Sequence, residues 1–281
     1  MTPLALLALS LLSSSGDAYS ARRLFAVSDE HFVYQSGSKI VMRSFAGSPP
    51  KSWSGQWMMG GVQDGPARAV YMTAPTSSKV TVYSDKGRNT IELNGELISI
   101  SWDGSWALIQ REKSFALRNL KTGAKRSLPA SLGSGSTIHL GAVSDNGVVA
   151  ILGTKTGQIR DWTQSGAVRT VATDKAFTES AMSMAISGRG GYVAVSTGDG
   201  NNSIVNLKTG KLIKVRSDSE LVGLAEGLVA CPEGNKVVVR SADTGESKKE
   251  YASDEAPRRL FLSPSGKHLV ALYMGHIRVL F

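Results

Sequence analysis

Residues 97–128 read LISISWDGSWALIQREKSFALRNLKTGAKRSL, and this stretch contains the pattern that decides the fold. Two short apolar runs flank the turn at 102–105, and a third run leads into Lys121-Thr122-Gly123. We predict four strands, with strand a at 97–101, strand b at 106–110, strand c at 114–120 and a short outer strand d at 126–128. Gly123 fits the c–d hairpin because glycine readily adopts the left-handed backbone conformation that such a turn requires.

The same two turns recur along the whole chain. Near copies of the c–d turn are Lys208-Thr209-Gly210 and Asp243-Thr244-Gly245. Glycines at this position recur about every 40 residues, a period typical of a few repeat architectures. They are Gly47, Gly87, Gly123, Gly166, Gly210 and Gly245. A second series marks the a–b turns at Gly65, Gly104, Gly147, Gly190, Gly227 and Gly266. Two hairpins per period imply four strands per repeat.

Seven such units follow one another, the last of them incomplete. They span residues 24–53, 61–93, 97–128, 140–171, 182–215, 221–251 and 259–281. Antiparallel sheets of this size bury their faces by stacking around an axis. We therefore predict an all-β fold, a seven-bladed β-propeller that forms a single domain over residues 22–281. Helical repeats are disfavoured because no window keeps a helical apolar period for three turns, and only residues 172–185 look weakly helical.

The first 21 residues have three interpretations. Leu4 to Leu12 is apolar and is followed by small residues up to Ala21, which is typical of a secretory signal peptide, although no basic residue precedes Arg22. The same run could instead supply the outer strand that closes the last blade. The serines and Arg22-Arg23 also suit an organellar presequence. We expect a secreted or periplasmic protein if the segment is cleaved, and a cytoplasmic or organellar one otherwise. The run is too short to span a bilayer.

Two segments resemble WD40 repeats. Residues 204–211, IVNLKTGK, are similar to the end of strand c and its turn in that family, and residues 260–267, LFLSPSGK, to its strand a and a–b turn. Weaker similarity extends over residues 22–281. No unit opens with Gly-His, and the Trp-Asp position holds Arg118-Asn119, Asp161-Trp162, Val205-Asn206 and Arg240-Ser241. The resemblance implies a WD40-like propeller in which Asp103 and Asp145 keep part of the family's side-chain hydrogen-bond network.

The formal net charge of +9 invites a polyanion-binding interpretation. Many of the basic residues fall in c–d turns and d strands, where lysine also prevents edge-to-edge pairing of sheets. We expect a solvated basic rim, with an acidic partner, lipid headgroup or other polyanion as the alternative. Nucleic acid is disfavoured because no Lys/Arg run is interleaved with aromatic residues. Cys231, the single cysteine, lies in an apolar b strand and is predicted to be a buried, inert thiol.

Catalytic chemistry in a propeller requires polar side chains that converge on the central channel. The segments that open the a strands share no ligand set. Glu96, His139 and Glu220 are the only group that could converge, and we expect them to be exposed loop residues. Asp199 to Ser203 and Gly188 to Gly191 are interpreted as turns. We therefore predict no catalytic, cofactor or metal site, and no transmembrane segment.

The most informative loop joins units one and two. It contains Trp53, Trp57, Met58 and Met59, which we predict to anchor a partner, with filling of the wedge between the blades as the alternative. The predicted function is a non-enzymatic scaffold, a monomeric ring or a subunit of a complex, that presents its loops to a protein partner. The alternative function is a secreted propeller enzyme, or a carbohydrate- or polyanion-binding protein that uses the channel mouth.

Overall fold

The computed structural model shows seven antiparallel four-stranded blades arranged as a β-propeller. It describes residues 12–13, 18–55, 57, 59–65, 68–73, 78–112, 114–133, 139–198, 200–218 and 222–281, with the side chains of residues 12, 13, 139 and 179 left out. The innermost strand of each blade is strand a, and the chain proceeds outward through b, c and d. The predicted fold class is therefore confirmed.

The strands of each blade are as follows. Blade one comprises Arg23–Val27, His31–Ser36, Lys39–Ser44 and Lys51–Ser54. Blade two comprises Met59–Gln63, Ala69–Thr73, Lys79–Ser84 and Gly87–Glu92. Blade three comprises Glu96–Ile100, Trp106–Arg111, Ser114–Asn119 and Lys125–Ser127. Blade four comprises His139–Val143, Val149–Gly153, Gln158–Trp162 and Val168–Thr173.

The remaining blades continue the order. Blade five comprises Ala181–Ile186, Tyr192–Thr197, Asn201–Asn206 and Leu212–Arg216. Blade six comprises Gly223–Ala225, Leu228–Glu233, Lys236–Ser241 and Ser247–Ala252. Blade seven takes Arg259–Leu262, Leu269–Leu272 and His276–Val279 from the end of the chain. A short α-helix at Ala176–Ser180 falls within the stretch that looked helical, and a 3-10 helix lies at Ala130–Leu132.

The outer strand of blade seven comes from the other end of the chain. Ala18–Ser20 pairs antiparallel with His276–Val279, so that Tyr19 lies opposite Ile277. An N-terminal strand therefore closes the last blade, but its predicted position at 4–12 needs correction. Residues 4–11 lie outside the described part, and Leu12–Ser13 instead pairs parallel with strand d of blade six at Tyr251 and Ala252. Three residues are too few to show the alternation by which a strand is recognised in a sequence.

The turn glycines have the backbone conformation that the sequence required. Gly123, Gly210 and Gly245 have φ values of 77°, 73° and 78°. The strands of blade three agree with their predicted bounds to within one residue at every end. Left-handed φ at the c–d turn is accessible to glycine without the strain that a Cβ would add. The two glycine series thus do mark the hairpins.

The core lies between neighbouring blades rather than at the axis. Strand b is buried along most of its length in blades four and five, where Val149, Ile151, Val193 and Val195 are at most 1 % exposed. Cys231, on strand b of blade six, is also buried, as predicted, and burial raises the pKa of its thiol to about 12. Each blade therefore depends on its neighbours for burial of its apolar faces.

Alternation of strand direction gives the ring two distinct faces. We call the face with the d–a and b–c loops the loop face, and the face with the a–b and c–d turns the turn face. Strand a runs from the loop face to the turn face in every blade. Exposed lysines of the c–d turns, including Lys86, Lys121 and Lys208, lie on the turn face. Within the described ranges, no helix is long and apolar enough to cross a membrane.

Candidate functional site

A cavity of about 290 Å³ occupies the axis of the ring. Its wall is built from the a strands, so that different blades each contribute one to three side chains. The wall is mainly apolar, with Ser99 and Arg259 as its polar members; among the apolar ones are Leu24, Ile100, Val143, Met184, Leu260 and Phe261. Met59 and Arg259 open their a strands and therefore lie at the loop face. The channel is thus an apolar pocket that has its mouth among the d–a loops.

Trp102 lies at the opposite end of this cavity. Its indole Nε1 donates a 2.7 Å hydrogen bond across the ring to the backbone oxygen of Ile186, in blade five. Its ring also meets that of Phe261, in blade seven, edge to face with the centroids 5.5 Å apart. Trp102 directly follows strand a of blade three, and it therefore connects three blades at the turn face. It separates the apolar channel from the space beyond it.

A second cavity of about 340 Å³ lies on the turn-face side of Trp102. Its lining is polar and comes from the a–b turns. Acidic side chains predominate in it: Asp29, Asp64, Asp103 and Asp145 line it together with Lys121. The axis of the ring thus passes from an apolar chamber to an acidic one, and Trp102 borders both chambers.

The carboxylates of the a–b turns join consecutive blades. Asp29 accepts hydrogen bonds of 3.1 and 2.6 Å from the backbone nitrogen and hydroxyl of Ser265, which joins blade seven to blade one. Asp64 accepts one of 2.6 Å from the Ser28 hydroxyl. Glu226 accepts one of 2.6 Å from the Ser187 hydroxyl, between blades five and six. Each acid therefore binds the a–b turn of the preceding blade.

Asp145 makes the same kind of connection, but to a turn that is itself acidic. Its Oδ1 accepts a 2.9 Å hydrogen bond from the backbone nitrogen of Asp103. Asp103 in turn accepts a 2.8 Å bond from the Ser101 hydroxyl and a 3.2 Å bond from Lys121 Nζ. Burial and the negative charge of Asp103 raise the pKa of Asp145 to about 8. Burial also disfavours ionised Asp103, but hydrogen bonds from Ser105 and Ser101 and the charge of Lys121 outweigh it and lower the pKa of Asp103.

This pair makes stability depend on pH. At neutral pH folded Asp145 keeps a proton that the unfolded chain, with an ordinary pKa of 3.8, has released. The contribution of Asp145 to the free energy of unfolding is therefore fully present below about pH 4 and is lost as the pH rises to about 8. Asp145→Asn keeps the acceptor oxygen and removes the charge. We expect the free energy of unfolding of the variant, relative to that of the native chain, to rise by about 4 kcal/mol between pH 5 and pH 8.5, because the native chain loses about 1.4 kcal/mol for each pH unit up to about pH 8.

Urea unfolding at the two pH values measures this difference. Asp29→Asn is the matched control, because hydrogen bonds from Ser265 and Ser263 overcome the effect of burial and lower the pKa of Asp29. Since Asp29 is ionised throughout this pH range, the stability of that variant should show the same pH dependence as that of the native chain between pH 5 and pH 8.5. Equal pH dependence of Asp145→Asn and the native chain would contradict the assignment.

Glu30, His31 and Asp64 form a further cluster on this face. Ligand atoms of the three residues lie within 4.8 Å of one another, a separation that a metal ion could span. Both acids already contact groups of the a–b turns. Asp64 lies 2.9 Å from His31 Nδ1, and Glu30 accepts a 3.3 Å hydrogen bond from the backbone nitrogen of Gly65. The sequence does not predict this group, because its members meet only when blades one and two pack together.

The predicted anchor residues take different positions. Trp53 and Trp57 are partly buried and pack on Tyr83, with ring centroids 5.5 and 5.7 Å away. They join the apolar cluster between blades one and two, as in the alternative interpretation of this loop. Met59 is 36 % exposed at the channel mouth. Met58 lies outside the described residues.

Of the three residues considered for the channel, Glu96 alone has a described side chain. Glu96 opens strand a of blade three and is exposed. His139 opens strand a of blade four, and Glu220 lies outside the described residues. The segment Gly188 to Gly191 is an a–b hairpin turn, as predicted, and Gly190 has φ of 76°. The polar side chains that do converge come from the opposite ends of the a strands.

No protein-family model matches the chain, and a search of the curated proteins found no match. The chain is therefore classified by its fold, the seven-bladed β-propeller.

Proposed function

We propose that the chain is a WD40-like propeller that acts as a non-enzymatic scaffold and binds a protein partner on its loop face. One observation carries this proposal. In the described part of the chain, three large hydrophobic side chains are exposed: Met59, Met182 and Met274, at 36 %, 51 % and 75 %. Met59 and Met182 lie at the start of a strands and Met274 in a b–c loop, so all three lie on the loop face.

Methionine suits such a role because its unbranched, polarisable side chain adapts to the surface of a partner. Exposed large hydrophobic groups concentrated on one face of a soluble ring favour that face as a binding surface.

The a–b turns support the same proposal in another way. Their carboxylates bind neighbouring blades and hold the ring rigid, so the loops are presented on a fixed frame. The repeated Thr-Gly turns support the WD40-like assignment, as does the serine that directly follows strand a in five blades, namely Ser28, Ser101, Ser144, Ser187 and Ser263.

Capture of partners by the purified chain from its native source tests the proposal. We expect Met182→Gln combined with Met274→Gln to reduce retention of a specific partner about tenfold, since a buried anchor contributes about 1–2 kcal/mol. The matched control is Lys86→Gln combined with Lys208→Gln, which changes two exposed side chains of the turn face. Both double variants should melt like the native chain.

Two outcomes would contradict the scaffold. Loss of the partner from the lysine variant alone would favour the basic turn face and hence a polyanion-binding protein. Stoichiometric metal in the purified chain, or turnover in a substrate panel, would favour an enzyme.

A further inference from the structure

We propose that the channel binds a small amphipathic carboxylate, with its apolar chain along the axis and its carboxylate at Arg259. This ligand site shares Met59 with the proposed docking face, but it does not depend on that function. Three properties of the channel support it: the wall, the closed end and the charge at the mouth.

The wall selects an apolar ligand. Ile100, Met184 and Ala185 are partly exposed and face the cavity, although they lie on the innermost strands. Of the two polar lining residues, Ser99 already accepts a 3.1 Å hydrogen bond from the backbone nitrogen of Val143. A polar ligand would therefore lose its hydration there without finding hydrogen-bond partners along the middle of the channel. An alkyl or aromatic group would instead cover apolar surface that the ring leaves open.

The closed end gives the ligand a direction. Trp102 is fixed at the turn face by its hydrogen bond to Ile186 and by its contact with Phe261. A ligand therefore enters from the loop face, and its apolar end meets the indole. Sites for small molecules are typically cavities of about 300–1,000 Å³. At about 290 Å³ the channel lies at the lower end of this range and fits a medium-length chain rather than a large ring system.

The charge at the mouth selects an anionic end group. Arg259 lines the cavity where it opens, and its guanidinium lies 5.8 Å from the centre of the Phe261 ring on the channel wall. Arg258 precedes it, and Arg23 opens strand a of the adjacent blade one, where its Nη1 donates a 2.9 Å bond to the backbone oxygen of Trp57. The acidic Glu96 lies at the same face, on blade three. Arginine binds carboxylates through paired hydrogen bonds and stays charged at all physiological pH values.

Titration of the full chain with octanoate tests the proposal, with methionine methyl groups labelled with ¹³C. Met59 and Met184 line the cavity, whereas Met274 lies outside it. We expect saturable shifts of the Met59 and Met184 resonances and no shift of Met274. Octan-1-ol, which has the same chain without the charge, should bind more weakly, and acetate should not bind.

Three variants separate the parts of the site. Arg259→Gln should weaken octanoate about tenfold and leave octan-1-ol unchanged, because a hydrogen bond to a charged group is lost. Arg22→Gln, the same change at an exposed arginine outside the cavity lining, should alter neither ligand. Ala185→Leu should reduce binding of both by filling the channel, and the melting temperature of each variant confirms that it folds.

Equal affinity of the native chain for octanoate and octan-1-ol would overturn the assignment of Arg259. Absence of saturable shifts, or shifts of Met274 together with Met59 and Met184, would overturn the site itself.

Discussion

A chain that begins at Ala21 is expected to melt at least about 6 °C below the full chain, because blade seven loses its outer strand. The cut removes the backbone pairing of Ala18–Ser20 with His276–Val279. It also removes Tyr19, whose ring lies 5.8 Å from Phe32 and beneath the guanidinium of Arg43, 4.3 Å from the ring centre. Together these losses amount to about 3 kcal/mol. For a chain of this size each kcal/mol corresponds to about 2–4 °C.

Scanning calorimetry of the full chain and three variants measures these differences in melting temperature. Removal of residues 2–11 is the control, since it leaves both N-terminal strands in place, and it should not change the melting temperature. Tyr19→Ala should give part of the loss, about 1–2 kcal/mol. If the chain that begins at Ala21 melts like the full chain, Ala18–Ser20 is not a structural strand. N-terminal sequencing of the mature protein then shows which form the cell uses.

Trp102→Ala is expected to destabilise the ring by about 3 kcal/mol, since a large side chain shared by three blades is removed and the two axial cavities become one. The variant loses the hydrogen bond to Ile186 and the ring contact with Phe261. Trp102→Phe keeps an aromatic ring and loses only the donor, so its cost should be about 1 kcal/mol. Denaturant unfolding of the three chains measures both values.

A cost below about 1 kcal/mol for Trp102→Ala would show that the indole merely occupies the channel. Equal costs for the two variants would assign the stabilisation to the hydrogen bond rather than to the packing of the ring.

Local chemistry explains why the sequence predicted the strand count and order. Gly123 and Gly104 mark turns because their left-handed φ values of 77° and 69° exclude most other residues. Between such turns, runs such as 106–109 are apolar and suit buried strands. These signals require no knowledge of distant residues. The same reasoning found that Cys231 is buried, because an apolar strand surrounds it.

The channel and its floor could not be predicted in this way. Trp102 binds a residue 84 positions away, and the sequence around it reads simply as a tight turn. The resemblance implied a hydrogen-bond role for Asp145, but only the packing of blade three against blade four brings Asp103 close enough to change the pKa of Asp145. Met182 and Met274 became visible as one surface only after the direction of each strand was known. Sequence periodicity thus predicts the strands of each blade but not the contacts between side chains of different blades.

Closure of blade seven has a consequence for the order in which the molecule forms. Ala18–Ser20 is synthesised long before its partner His276–Val279, because blades one to six lie between them in the chain. The strand at Ala18–Ser20 must therefore wait, unpaired, until blade seven has left the ribosome. Such a contact of high sequence separation slows folding, and an unpaired edge exposes the waiting chain to association with others. Blades one to six can form in sequence, and ring closure is expected to be the last and slowest step.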